Sequence, residues 1–176
     1  MGRRASPIDE DPTFQRRNWA AERAGWALMA AVVALGLAGL LGPGPLSRAV
    51  ATAEGMAAGG PGGASPARVA VSYERFLHAR APTAVRVETA VAPGATTLDL
   101  AVDRTYLSAL DVRDVTPHPT ATLIGADHVV YRFRLAPGTT RALVVFQLTP
   151  TAARVVRGRL GPVTGPRPGL WHLVYP

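Results

Sequence analysis

Nineteen consecutive residues, Ala24 to Gly42, carry no charge, and they lie between Arg23 and the helix-breaking run Gly42-Pro43-Gly44-Pro45. A helix rises 1.5 Å per residue, so the run reaches about 28 Å, roughly the hydrocarbon thickness of a bilayer. The sequence therefore predicts one transmembrane helix over 24–42, and the rest of the chain has to be arranged around it. Residues 1–23 become an N-terminal tail with Pro7, Pro12 and a short acidic cluster, and they lack the apolar material for a core. Beyond the span, 43–66 is rich in Gly, Pro and Ala and reads as a linker, with a short surface helix over 46–54 and a flexible tether over 55–66. What remains, 67–176, has room for one domain of common size.

Charge sets the orientation. Arg3, Arg4, Arg16, Arg17 and Arg23 precede the span, whereas Arg48 alone follows it closely. Basic residues near a span stay on the cytoplasmic side, so the N-terminus is expected inside and the C-terminal domain outside. Trp19 and Trp26, with Arg23 between them, fit the interfacial zone where an indole keeps one edge wet. A cleavable signal peptide is the competing reading, and Ala49, Ala51 and Ala53 supply small-residue pairs for it. The apolar run is longer than a signal peptide's usual 7 to 15 residues, which favours an uncleaved anchor. Along the helix Ala30, Ala34, Ala38 and Gly42 recur every fourth residue, a stripe that lets another transmembrane helix, from a second copy or a multi-span partner, approach closely.

The chain has no cysteine, which removes disulfides, thiolate nucleophiles and Cys-ligated metal sites. All nineteen basic residues are Arg, a usage that a GC-rich genome explains. The excess charge is local. From Ala67 onward thirteen Arg face seven acids, a net of +6, which suits anionic lipid or an acidic partner. Nucleic acid is not expected as a partner, because the arginines are scattered along strands without a nucleic-acid-binding motif.

From Ala67 the pattern turns to period two. Val69, Val71 and Tyr73 alternate with Ala70 and Ser72; Val85 to Val91, Leu98 to Val102 and Val129 to Leu135 do the same, while Leu110 and Val112 flank Asp111. Leu143 to Leu148 is more continuously apolar and reads as central, and Leu170 to Tyr175 as a last strand. Turns are expected at Pro93-Gly94, Pro117 to Pro119, Gly125 to Asp127 and Pro137-Gly138. Asp103 is placed to cap one helical turn over Arg104 to Leu107. Seven or eight short strands so spaced predict an all-β extracytoplasmic domain, an immunoglobulin-like β-sandwich, with a small barrel as the alternative.

Residue types that carry chemistry do not converge. His78, His118, His128 and His172 lack the spacing that puts two imidazoles on one ligand face, Ser72 and Ser108 lack a nucleophile-elbow context, and the Gly59 to Gly63 cluster does not lead from a strand into a phosphate-binding helix. No catalytic, cofactor or metal site is therefore expected, and no enzymatic activity. Tyr73-Glu74-Arg75-Phe76 combines aromatics with a charge pair at a strand end. Two readings stand: Tyr73 packs inward, Phe76 follows after a bulge and Glu74 and Arg75 simply face solvent, or Arg75 with Arg80 forms a membrane-proximal patch.

The order Arg17-Asn18-Trp19, Glu22-Arg23, Gly25-Trp26, the apolar span, Gly42-Pro43-Gly44-Pro45-Leu46-Ser47 and Tyr73-Glu74-Arg75-Phe76 resembles a group of uncharacterised bacterial single-pass inner-membrane proteins, often encoded beside a YetF-like multi-span membrane protein. The resemblance implies the bacterial cytoplasmic membrane as location and a membrane protein as partner; it carries over no catalytic residue. The expected function is a membrane-anchored accessory or scaffold protein whose β-sandwich binds a membrane partner or envelope component. The alternative is an anchored sensor of a small ligand or envelope polymer.

Overall fold

The computed structural model describes residues 12–37, 46–60 and 63–176, and the chain divides into two compact units, Met1–Gly44 and Pro45–Pro176. The first unit contains helix α1 (Pro12–Leu37). Proline is tolerated at a helix start because its missing N–H has no intrahelical acceptor there. No Gly or Pro interrupts the sequence from Thr13 to Ala24, so the helix begins well before the uncharged run. Within it, the 20 residues Asn18–Leu37 have a mean hydropathy of 1.4 and none of their side chains is buried. This helix is long and apolar enough to cross a membrane, properties that a signal sequence shares. The last five residues of the expected span, 38–42, lie outside the described residues.

The second unit is built mostly of strands: β1 (Arg48–Gly60), β2 (Gly63–Glu74), β3 (Phe76–His78), β4 (Thr83–Val91), β5 (Thr97–Asp103), then a short helix α2 (Arg104–Ala109), β6 (Leu110–Thr116), β7 (Ala121–Ile124), β8 (His128–Arg134), β9 (Arg141–Pro150), β10 (Arg154–Pro162) and β11 (Gly169–Tyr175). One run of hydrogen-bonded neighbours is β1-β2-β4-β9-β6; the other is β7-β8-β5-β10-β11-β3. All pairs are antiparallel except β11 with β3. The two runs join where Leu98 and Thr97 of β5 meet Ala58 and Gly59 of β1. Across the interior, Tyr131 on β8 packs edge-on against Phe146 on β9, with centroids 5.4 Å apart, and Tyr73 on β2 meets His172 on β11 at 5.2 Å. Two sheets facing each other in this way are consistent with a β-sandwich.

The period-two segments behave as alternation requires. Val85, Val87, Leu98, Leu100, Phe133 and Phe146 are essentially inaccessible, whereas Arg86, Glu88, Arg132 and Arg134 point to solvent. Strand β9 is central in pairing, lying between β4 and β6, but it alternates as well, and Leu143 is 52% exposed. The turns fall at the expected Gly and Pro positions. Helix α2 forms where expected, but Asp103 makes no side-chain bond to its first turn; its carboxylate accepts instead from Arg167 Nη1 at 3.3 Å.

The largest departure from expectation is the linker. Residues 48–60 are neither a surface helix nor a tether but strand β1, paired with β2 in a register running from Arg48 opposite Glu74 to Gly60 opposite Gly63. The domain therefore starts well before Ala67. Ala and Gly have weak strand propensity in isolation, which is why their abundance suggests a linker. In this fold the small residues are a packing requirement. Ala49 and Ala57 are buried, and a Cβ on Gly55 would stand 2.5 Å from both Pro162 Cγ and Thr164 O. Backbone bonds between Met56 and Thr164 fix that approach, with the Met56 N–H donating at 2.8 Å.

Candidate functional site

The outer face of β3, β11 and β10 brings exposed aromatic and aliphatic side chains together with arginines. Alternation sends Val156, Leu160, Leu170, His172 and Val174 inward and leaves Val155, Arg157, Arg159, Trp171 and Leu173 outward. The register then assembles them: Val155 lies opposite Leu173, Arg157 opposite Trp171, and Phe76 of β3 beside Leu173. Trp171 meets Phe76 edge-on at 6.2 Å, and the guanidinium of Arg75 lies over the indole at 5.4 Å, a cation–π contact. Val155, Leu173 and Trp171 remain 54%, 41% and 38% exposed. Together with Asp103 and Thr105 these side chains line an open cleft of ≈ 860 Å³. A neighbouring cleft of ≈ 600 Å³ shares Asp103, Thr105 and Arg159 and adds Arg104 and Arg167. Asp103 is engaged by Arg167, and among the described residues Arg157 and Arg159 form no ion pair, so the face is net cationic.

Beneath this face is a buried polar pair. His172 is fully inaccessible, and its Nδ1 lies 2.5 Å from the Glu74 carbonyl oxygen. A carbonyl only accepts, so Nδ1 carries the proton and the neutral ring leaves Nε2 as an acceptor. Tyr106, equally buried on α2, fills that role by donating its hydroxyl at 2.7 Å. Burial pushes the His172 imidazole below its ordinary pKa, with the Glu74 carbonyl pulling weakly the other way. Burial, and then the nearby Tyr73, push the Tyr106 hydroxyl far up. Both groups are thus held neutral and away from solvent. They clamp β11 to α2 and so hold the strand that carries Trp171. Gly158 makes the clamp possible, because a Cβ there would fall inside the space of the Tyr106 ring, 2.6 Å from its Cγ.

No family model, curated protein or solved structure matches this chain.

The residues singled out from sequence are dispersed. Trp19 and Trp26 are exposed on α1, and the Arg23 guanidinium lies 5.2 Å from the Trp19 ring. Ala30 and Ala34 are exposed on the same helix, while Ala38 and Gly42 lie outside the described residues. Arg75 joins the cleft through Trp171. Arg80 does not: it sits past β3 in the left-handed region at φ 64°, and its N–H donates to the Pro150 carbonyl at 2.9 Å. Through Trp171, which lies opposite Arg157, Arg75 adjoins the arginines of β10. Trp171 was legible as an outward position of the strand over Leu170 to Tyr175, but Arg157 and Arg159 were not read as part of a strand. Gly158, standing where an apolar residue would complete the pattern, hid β10. Among the described residues no group of three or more His, Asp or Glu side chains is placed to hold a metal ion.

Proposed function

We propose that this chain is a non-enzymatic, single-pass accessory protein of a bacterial cytoplasmic membrane. In this reading α1 and the residues after it form the anchor, the N-terminus is cytoplasmic, and an extracytoplasmic immunoglobulin-like sandwich recognises a membrane partner or an envelope component. The observation that carries it is α1 itself: twenty residues of apolar helix with no side chain buried, attached to a β unit that has its own complete core. A helix of that composition needs a bilayer or another protein to cover it. The five arginines before the span support the orientation. Resemblance to the single-pass proteins encoded beside YetF-like neighbours makes a multi-span membrane protein the first partner to look for. A second reading, an anchored sensor of a small ligand, draws support from the size of the cleft beside Trp171, which is in the range of small-molecule sites.

Two measurements test the proposal. A reporter active only outside the cytoplasm should work when fused after Pro176 and fail at the N-terminus; the reverse would invert the topology. Gentle crosslinking in native membranes should recover a defined membrane protein with the chain, and recovery of the chain alone would remove the accessory role.

A further inference from the structure

We propose that the outer face of β3, β10 and β11 docks onto an anionic lipid surface, with Trp171, Leu173 and Val155 entering the headgroup region while Arg157, Arg159 and Arg75 meet lipid phosphates. This rests on the membrane-anchored reading above. Three observations select the occupant.

The first is charge complementarity. Arg157 and Arg159 stand on the outward side of β10 and, among the described residues, form no ion pair, while the single acid lining their cleft, Asp103, is neutralised by Arg167. The second is the amphipathic layout of the strand pair. Val155 and Leu173 occupy one end of the register, Arg157 and Trp171 the next step, and Arg159 the step after. Apolar side chains therefore grade into cations along one direction, as at a membrane interface, where an indole bridges the wet and apolar zones. A sugar polymer would call for Asn, Gln, Asp or Glu around an open aromatic platform. The cleft is lined by none of these except the engaged Asp103, and one face of the indole is occupied by Arg75. The third observation is reach. Residues 38–47 join α1 to β1, and ten residues extend at most about 36 Å, so an anchored α1 tethers the domain within that reach of the bilayer surface. At that distance weak contacts suffice, because docking is intramolecular and its effective concentration is high.

The test uses the full chain reconstituted in vesicles, with Trp19→Phe and Trp26→Phe leaving Trp171 as the single tryptophan. In vesicles containing phosphatidylglycerol, Trp171 emission should shift to the blue and be quenched by brominated lipid. In pure phosphatidylcholine it should stay open to aqueous acrylamide. Raising the salt should reverse the shift. Arg157→Gln with Arg159→Gln, both at exposed positions, should weaken docking roughly 25-fold, at about fivefold per lost charge. Equal acrylamide access in both lipid compositions overturns the proposal. Shielding of Trp171 in native membranes but not in protein-free anionic vesicles also overturns it, and assigns the face to an acidic protein partner. Flotation of the same samples separates the two levels: a chain that fails to float with vesicles refutes the anchor, whereas one that floats with Trp171 still aqueous refutes only the docking.

Discussion

Replacing Gly158 by Ala should damage the domain far more than adding one methyl group to a strand suggests. In a strand interior that change is ordinarily favourable, by about 0.5–1 kcal/mol, because glycine loses the most backbone freedom on folding. Here the new Cβ would lie 2.6 Å from Cγ and 2.7 Å from Cδ2 of Tyr106. The ring cannot retreat without cost, since it is fully buried and its hydroxyl is fixed on His172 Nε2 at 2.7 Å. Overpacking of this kind costs about 1–3 kcal/mol, and a displaced Tyr106 would strand a buried acceptor for a further ~1–3 kcal/mol. The net loss should be about 3 kcal/mol, a large share of the stability of a typical domain, and should lower the melting temperature by about 10 °C. Thermal unfolding of the full chain in detergent, followed by circular dichroism, measures it. Gly169→Ala is the control, because nothing lies within 4 Å of its added Cβ and its backbone is not left-handed. The clash should also vanish in a Tyr106→Ala background, so the two substitutions should couple strongly in a double-mutant cycle. A Gly158→Ala chain within ~0.5 kcal/mol of wild type, or an equal loss in both backgrounds, would refute the reasoning.

Acidification should destabilise the domain through His172. Because burial lowers its pKa, the unfolded chain binds the proton first, so stability is full above about pH 6.5, falls as the pH drops through that value, and levels off below the folded pKa. Urea melts across this range should show the decline, and His172→Gln should flatten it while lowering stability at neutral pH. Amides from Ala49 to Ala53, paired with Val69 to Tyr73, should be protected in hydrogen exchange followed by mass spectrometry; complete exchange within seconds would contradict strand β1. On α1, Ala30→Leu with Ala34→Leu should weaken crosslinking to a partner helix without impairing membrane insertion, since Leu is at least as favourable as Ala in hydrocarbon. Unchanged association would leave the small-residue stripe as a plain anchor surface.

The parts of the fold legible in the sequence are those in which alternating Val, Leu and aromatic residues bury one face. Val85 to Val91 and Val129 to Leu135 read directly as strands because their large inward side chains carry the signal. Strand β1 was illegible for the opposite reason. Its inward positions are Ala49, Ala51 and Ala57, and its closest approach to another segment is made by Gly55, so the packing that holds it is written in the absence of side chains. The same holds for Gly158 in β10. The cleft depended on strand register, which brings Phe76, Trp171 and Arg157 together from segments far apart in the chain. Period two shows that Trp171 points outward, but not which strand lies beside it. His172 was legible only as one of four scattered histidines, since its partners are a backbone carbonyl and a tyrosine on a different element.

Strand β11 follows all the others in the chain, yet it is the partner on which β3 depends. The bond from His172 to Glu74 spans 98 residues. A ribosome delivers the chain from the N-terminus, so β2, β3 and α2 are all made while their closing strand is still missing. The inward surfaces of Tyr73 and Tyr106 then wait uncovered until nearly the whole domain has been synthesised. Closure of such distant contacts is slow, and the interval exposes strand edges to other chains. The protein's yield in the cell should therefore depend on the supply of chaperones where it emerges, and raising or depleting them should shift it accordingly.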